Sequence, residues 1–184
     1  MLRYHQYRAR LGMGDLHPGG AGASARVLEW LAERGVRRVL EVGAGIGNTA
    51  VRMASLGWQV IALEPDPVSF AMLQERLGSR ARCEGFLAHT AAEPYDAILA
   101  ESVLFQMSPP ALLTHAHALL RPGGYLAFIE AVWSASITAE ASRALHDETE
   151  RLFGIAVGAR ERSTWLQWSE RLSSAGFISE RLEK

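Results

Sequence analysis

The chain has 184 residues, of which 48% are hydrophobic, and 19 lysines and arginines stand against 20 aspartates and glutamates. This length and composition are typical of one globular domain with a buried core, and they exclude a disordered or fibrous chain. The formal net charge of −1 argues against binding a nucleic acid through bulk charge.

Helix and strand patterns alternate after an irregular leader, residues 1–22, which we expect to act as a lid. The predicted helices span residues 23–34, 48–56, 67–77, 109–120, 138–153 and 163–175. The predicted strands span residues 38–42, 58–64, 81–87, 95–101, 125–132 and 177–182. Near-continuous apolar strands between helices indicate an α/β fold with a doubly wound, mostly parallel sheet covered on both faces. We therefore predict one domain over residues 23–184.

A glycine-rich turn ends the first predicted strand, in the segment Glu41-Val42-Gly43-Ala44-Gly45-Ile46-Gly47. Glycines let the backbone adopt positive φ and let a ligand lie against it, and the next helix offers unpaired N–H groups. Glu64 ends the second predicted strand, 21 residues after Gly43. In a doubly wound sheet, this spacing places the Glu64 carboxylate beside the same crevice, within reach of a ribose diol. The combination predicts a site for a nucleoside-type cofactor.

The spacing of the glycines narrows the choice of nucleoside. The turn reads G-x-G-x-G, and Asn48 stands where the G-x-G-x-x-G pattern of dinucleotide-binding proteins requires glycine. An NAD-dependent oxidoreductase is therefore disfavoured, and the absence of lysine from the turn excludes a nucleoside-triphosphate P-loop. Glu41, two residues ahead of Gly43, can face a cationic group of the ligand rather than a pyrophosphate.

Four segments, in this order, resemble motifs of the class I S-adenosylmethionine-dependent methyltransferases, most closely the small stand-alone enzymes of that family that act on small molecules. They are Val39–Gly47, Val60–Asp66, Tyr95–Glu101 and Leu119–Leu126. The resemblance implies a Rossmann-like methyltransferase fold with S-adenosyl-L-methionine as the cofactor. It also implies in-line transfer of a methyl group to an O, N or S atom of an unidentified small-molecule acceptor.

The resemblance also implies a set of cofactor-binding residues. Glu41 would lie near the methionine amino group, Glu64 would bind the ribose hydroxyls, and Pro65 or Asp66 would flank the adenine. Phe86 stands where the family usually has an acid that meets the adenine amino group. Either Phe86 packs on the base, or a backbone group contacts it, or the alignment is shifted by one residue. The full set is Glu41, Gly43, Ala44, Gly45, Gly47, Glu64, Pro65, Asp66, Phe86 and Glu101.

Three residues are candidates for catalysis. Glu101 and Glu130 lie at or near the carboxyl ends of the fourth and fifth predicted strands, where open α/β sheets bind ligands. His17 lies in the leader, and leaders of this family often fold over the cofactor. A general base is needed only where the acceptor is protonated at neutral pH.

Two other functions stay open. One is an RNA or protein methyltransferase. It is disfavoured because Glu101-Ser102-Val103-Leu104 stands in place of an Asn/Asp-Pro-Pro-aromatic signature at the end of the fourth strand, and because no RNA-binding domain or basic stripe is present. The other is a non-catalytic subunit that binds S-adenosylmethionine. It draws support from the absent adenine acid and from a sheet that we expect to lack the family's closing seventh strand. The resulting exposed edge would offer a surface for a homodimer.

The cellular setting follows from what the chain lacks. Cys83 is its one cysteine, so we expect neither a disulfide framework nor a thiolate metal site. No apolar run approaches the roughly 20 residues of a membrane span, and we recognise no signal peptide. These observations favour a cytoplasmic enzyme without a membrane partner.

Overall fold

A computed structural model describes residues 3–154 and 163–179 of the chain. The strands are β1 (Arg38–Val42), β2 (Gln59–Leu63), β3 (Ala81–Arg82), β4 (Tyr95–Glu101) and β5 (Leu120–Ile129). The helices are α1 (Tyr4–Arg10), α2 (Gly20–Glu33), α3 (Asn48–Ser55), α4 (Pro67–Leu77), α5 (Pro109–Leu119), α6 (Ala139–Phe153) and α7 (Trp165–Ser174). Short 3₁₀ helices span Gly78–Arg80, Phe86–Ala88 and Leu104–Gln106.

The strands form one sheet in the order β3-β2-β1-β4-β5, and every neighbouring pair is parallel. This sheet with helices on both faces confirms the predicted Rossmann-like, doubly wound fold. Because the chain turns back from β3 to β4 on the other side of β1, the order reverses between β1 and β4. Ligands of open α/β sheets bind at the carboxyl ends of the strands beside such a reversal.

Two apolar layers hold the sheet in place. Leu31, Met53 and Leu73, from α2, α3 and α4, are fully buried on one face. Leu112 of α5 and Trp168 of α7 are buried on the other face. The core thus fixes the strands from both sides and leaves their carboxyl ends to carry the site.

The leader is partly helical, whereas the sequence predicts an irregular segment. Tyr4–Arg10 forms α1, and α2 begins at Gly20, so both helices start within residues 1–22. Helix α1 packs against α4, where Gln6 Nε2 donates to Asp66 Oδ2 at 2.7 Å. The division into a leader, residues 1–22, and a domain, residues 23–184, stays a prediction.

Three strand predictions need correction. The third strand is paired only over Ala81–Arg82, because the chain turns into a 3₁₀ helix at Phe86. The fifth strand begins earlier than predicted, at Leu120, and includes Pro122, Gly123 and Gly124. Its pairing with β4 is irregular at these residues. Residues 177–179 are not in a strand, and the remainder of the predicted sixth strand lies outside the described residues.

Within the described ranges, the outer side of β5 carries no further strand, and no closing seventh strand is found. Whether this edge supports a homodimer stays a prediction. In the same ranges no helix is both long and apolar enough to span a bilayer.

Candidate active site

Glu41 lies near the carboxyl end of β1, the middle strand of the sheet, and the residue is 3% exposed. Its Oε2 atom has no hydrogen-bond partner among the described residues. Burial raises the pKa of Glu41 well above its usual value, and the charges of Glu101, Asp15 and Glu64 raise it further. A cationic group placed against the free oxygen would stabilise the charged form of this buried carboxyl group.

The turn after β1 brings bare backbone to the crevice. Gly43, Gly45 and Gly47 have φ values of 67°, 56° and 84°. A Cβ on Gly43 would also collide with Cγ1 of Val103, a residue that follows β4 in the chain and packs against the turn. Gly43 is therefore required both by its conformation and by a close contact.

Replacing Gly43 with alanine is expected to destabilise the protein by about 2–4 kcal/mol, through the left-handed conformation and the collision together. Chemical denaturation measures the loss. Gly57→Ala is the matched control, because Gly57 has a φ of 79° but nothing within 4 Å of its added Cβ, so only the conformational cost of about 1–2 kcal/mol remains. Equal losses in the two variants would contradict the role given to Val103, and Val103→Ala should partly restore Gly43→Ala.

Glu64 joins the glycine turn to the start of α4. Its Oε2 accepts the Gly45 N–H at 2.8 Å, and its Oε1 accepts the Asp66 N–H at 2.8 Å. Glu64 is buried, and burial raises its pKa although these two hydrogen bonds act in the other direction. Each carboxylate oxygen accepts more than one hydrogen bond, so Glu64 retains acceptor capacity for the hydroxyls of a ribose.

Asp66 caps α4, as the sequence predicted. Its Oδ1 accepts the N–H groups of Val68 and Ser69 at 3.1 and 2.9 Å. Its Oδ2 faces α1, with His5 Nε2 3.4 Å away and Gln6 as a donor. Burial raises the pKa of Asp66, but the hydrogen bonds from Gln6 and Ser69 outweigh it and leave the pKa below its usual value.

The Glu101 carboxylate, at the end of β4, contacts side chains from three separate segments of the chain. Thr49 Oγ1 of α3 donates to Oε2 at 2.8 Å, and Ser24 Oγ of α2 donates to Oε1 at 2.7 Å. His17 Nε2 of the leader lies 3.0 Å from Ser24 Oγ and 3.6 Å from Glu101 Oε1. The structure therefore brings together Glu101 and His17, two of the three predicted catalytic residues. The sequence does not identify Ser24 and Thr49, because a single hydroxyl residue within a predicted helix is not a distinctive pattern.

Glu130 follows β5 and binds backbone rather than side chains. Its Oε2 accepts the N–H groups of Leu104 and Phe105 at 2.8 and 3.2 Å. Its Oε1 is shielded from solvent and has no partner in the described parts of the chain. Burial raises the pKa of Glu130 to about 7. Such a carboxyl group exchanges its proton near neutral pH, as a general base must.

Phe86 and Pro65 differ in exposure. The Phe86 ring is buried and meets the His115 ring edge-on, with 4.9 Å between the ring centroids. Pro65 is exposed beside Glu64. The predicted adenine contacts of both residues stay predictions. Across the described ranges, no group of three His, Cys, Asp or Glu side chains is placed to hold a metal ion.

A family model described as a methyltransferase domain matches residues 18–177. The chain belongs to this methyltransferase family. The match covers both the glycine turn and the carboxylates described above, and the protein is a class I S-adenosylmethionine-dependent methyltransferase, as its motifs predicted.

Known relatives of this methyltransferase are distant in sequence. The uncharacterized methyltransferase YodH of Bacillus subtilis is 26% identical over 183 residues, which are 96% of this chain and 75% of YodH. The uncharacterized methyltransferase Rv3342 of Mycobacterium tuberculosis is 26% identical over 64% of this chain, and the match spans 49% of the mycobacterial protein.

Solved structures share the fold. A proposed sarcosine dimethylglycine methyltransferase from Galdieria sulphuraria has a TM-score of 0.72 at 18% identity, over 95% of this chain and 74% of that one. The Burkholderia thailandensis 1,6-didemethyltoxoflavin-N1-methyltransferase, solved with bound 1,6-didemethyltoxoflavin and S-adenosylhomocysteine, has a TM-score of 0.63 at 22% identity. That match covers 94% of this methyltransferase and 72% of the Burkholderia enzyme.

Proposed function

We propose that this methyltransferase transfers the methyl group of S-adenosylmethionine to an O, N or S atom of a small-molecule acceptor by in-line displacement. The observation that carries the proposal is the free, buried oxygen of Glu41 beside a bare glycine turn. A ligand that completes this arrangement brings a cationic group to Glu41 and lies flat against backbone.

The residues of the crevice fit S-adenosylmethionine. Glu41 would accept hydrogen bonds from the methionine ammonium, and Glu64 from the ribose hydroxyls. Pro65 and Asp66, at the start of α4, would flank the adenine, with Phe86 nearer α5. When bound, the cofactor supplies an electrophilic methyl group on a sulfonium. What the chain adds is orientation, which supplies about 7–11 kcal/mol of the barrier in well-oriented reactions.

The three predicted catalytic residues take different roles in this proposal. Both Glu101 oxygens already accept hydrogen bonds from the hydroxyl groups of Ser24 and Thr49. We assign it to electrostatic support of the cationic cofactor. His17 positions the leader on Glu101. Glu130 has a free oxygen and a pKa of about 7, so it is the candidate that takes a proton from the acceptor.

A small acceptor is supported by the leader and by the names of proteins with the same fold. Helix α1 contacts Asp66 and His17 contacts Glu101, so the leader lies against two of the proposed site residues. Proteins sharing the fold include the didemethyltoxoflavin enzyme and a sugar N-methyltransferase with a TM-score of 0.57. The atom of the acceptor that receives the methyl group is left open.

Titration calorimetry tests the cofactor. We expect S-adenosylmethionine to bind with a micromolar dissociation constant and NADH not to bind, because Asn48 stands where the dinucleotide-binding pattern requires a third glycine. Release of S-adenosylhomocysteine is then measured with a library of small amines, alcohols and thiols, and separately with RNA and protein. Turnover only with RNA or protein would overturn the small-molecule proposal, and binding without any turnover would favour a non-catalytic subunit.

A further inference from the structure

His17 of the leader is enclosed at the end of β4. Its side chain is 5% exposed, and that of Glu101 is 9% exposed. The Nε2 atom of His17 lies 3.0 Å from Ser24 Oγ and 3.6 Å from Glu101 Oε1. The Nδ1 atom lies 3.2 Å from the carbonyl oxygen of Pro18. Both nitrogens of the ring therefore have a hydrogen-bonding group of the protein beside them.

The Ser24 hydroxyl decides which of these groups donates. Ser24 is fully buried, and its single hydrogen is donated to Glu101 Oε1 at 2.7 Å. Towards His17 the Ser24 oxygen can then only accept, so Nε2 must carry a hydrogen. The Pro18 carbonyl also only accepts, so Nδ1 must carry a hydrogen as well. An imidazole ring with hydrogens on both nitrogens is a cation.

A neutral ring cannot keep this arrangement. With its one hydrogen on Nδ1, Nε2 accepts, and Ser24 must turn its hydroxyl from Glu101 to His17. With the hydrogen on Nε2, the lone pair of Nδ1 faces the lone pairs of the Pro18 carbonyl. The first form leaves one Glu101 oxygen without its donor, and the second sets two acceptors against each other. Both forms cost free energy in an enclosed position.

The charged groups near His17 are mainly acidic. Its ion-pair partner is Glu101 of β4, and the other side chains that donate to Glu101 are uncharged hydroxyls of α2 and α3. Behind Glu101 lies Glu41 of β1, whose pKa is raised by its burial and further by the charges of Glu101 and Asp15. Asp15, in the same loop as His17, is paired with Arg52 of α3 at 3.0 Å. A proton on His17 thus meets one carboxylate in contact and an ion pair whose charges cancel.

We propose that a proton on His17 holds the leader loop, residues 11–19, closed on the end of β4, and that loss of this proton releases the loop. Histidine is the side chain whose charge ordinarily changes between about pH 5 and pH 8. The closed loop holds the proton more tightly than the open loop, because only closure brings the ring to Ser24 and Glu101. By linkage, closure is strongest at the acid end of this range and weakens as the pH rises. The inference goes beyond the proposed function, since it concerns the unliganded protein.

His5 also lies near a carboxylate, but it is not part of this device. Its Nε2 is 3.4 Å from Asp66 Oδ2, yet Gln6 donates to the same oxygen at 2.7 Å and needs no added proton. Its Nδ1 is shielded from solvent and has no partner in the described parts of the chain, so a proton there would stay unpaired. We therefore expect α1 to stay on α4 when the loop opens.

Hydrogen exchange of the unliganded protein tests the inference. Amide exchange rates of the leader loop and of Gly20, which donates to the His17 carbonyl, are measured at about pH 5.5 and about pH 8. Each rate is divided by the intrinsic rate of the unfolded chain at that pH. Protection of these amides is expected to be at least about fivefold higher at the lower pH, while protection within α1 changes less than about twofold. Nitrogen NMR of the ring is expected to show hydrogens on both nitrogens of His17 at the lower pH, and a singly protonated ring there would overturn the inference.

Matched variants separate His17 from other groups that titrate in this range. His17→Gln keeps a donor for Ser24 but cannot gain a charge, so the protection of its loop should be the same at both pH values within about twofold. His5→Gln and Glu41→Gln should each retain the full change, and thermal melts show that each variant is folded. A retained change in His17→Gln, or its loss in either of the other variants, would show that the inference is wrong. None of these outcomes bears on the proposed function, which the calorimetric titration with S-adenosylmethionine tests separately.

Discussion

Replacing Glu130 with glutamine is expected to lower kcat about 100-fold, the lower end of what a positioned general base contributes. Glutamine keeps a carbonyl oxygen for the N–H groups of Leu104 and Phe105, so the turn after β4 should persist. What it loses is the ability to take a proton from the acceptor. The measurement is release of S-adenosylhomocysteine with an acceptor found in the library.

The pH profile of kcat distinguishes a lost base from a distorted site. Glu130 acts as a base only when it is deprotonated, and burial raises its pKa to about 7. The kcat of the unaltered enzyme should therefore rise as the pH rises through about 7 and then level off. The glutamine variant should lack this rise. Glu148→Gln, on exposed α6, is the control and should retain both rate and profile.

Stability gives a readout of Glu130 that needs no acceptor. The pKa of Glu130 is about 7 in the folded protein against an ordinary 4.5, so the folded state holds this proton more tightly than the unfolded state does. The contribution of Glu130 to stability therefore falls as the pH rises between these two values and is constant above them. At pH 8 the ionised Glu130 lowers the free energy of unfolding by about 3 kcal/mol at most. The stability of Glu130→Gln relative to the unaltered protein should therefore increase from pH 5 to pH 8. Denaturation of both proteins at the two pH values measures this change. A loss over this range, or an unchanged kcat, would remove Glu130 as the base.

Replacing Glu64 with alanine is expected to weaken the binding of S-adenosylmethionine at least tenfold. The variant would lose the two proposed hydrogen bonds from ribose hydroxyls to the carboxylate, each worth on the order of 1.5–3 kcal/mol. The N–H groups of Gly45 and Asp66 also lose their acceptor, which frees the glycine turn. Titration calorimetry measures the change.

A modified ligand separates these two effects of Glu64→Ala. The 2′-deoxy analogue of S-adenosylhomocysteine should bind the unaltered protein more weakly than S-adenosylhomocysteine does, but the variant should hardly distinguish the two. Glu93→Ala, at an exposed site, is the matched control and should bind as the unaltered protein does. If Glu64→Ala binds the cofactor normally, the placement of the ribose is wrong.

Local signals explain what could be predicted from the sequence. The bounds of β1 and β4 agree with the predicted strands, because both are buried apolar runs with clear ends. Asp66 and Pro67 start α4 as predicted, since capping depends on neighbouring backbone N–H groups alone. The glycine turn and Glu64 were found because their spacing along the chain is fixed by the βα unit.

The missed features depend on contacts between distant parts of the chain. Helix α1 has no strong apolar period, and it is held through Gln6 on Asp66, 60 residues away. The hydroxyls of Ser24 and Thr49 gain meaning only when Glu101 is folded between them, 77 and 52 residues later. The third strand was predicted too long because its apolar residues pack as a 3₁₀ helix instead of pairing in the sheet.

The cluster on Glu101 has a kinetic consequence. One carboxylate is tied to α2, to α3 and, through His17, to the leader, whose first helix also rests on α4. If the leader acts as the predicted lid over the nucleoside, exchange with solvent requires His17 and Gln6 to release their partners. We therefore expect gating of product exit, rather than the chemical step, to limit turnover with a good acceptor, so that a burst of the first methylated product precedes the steady state.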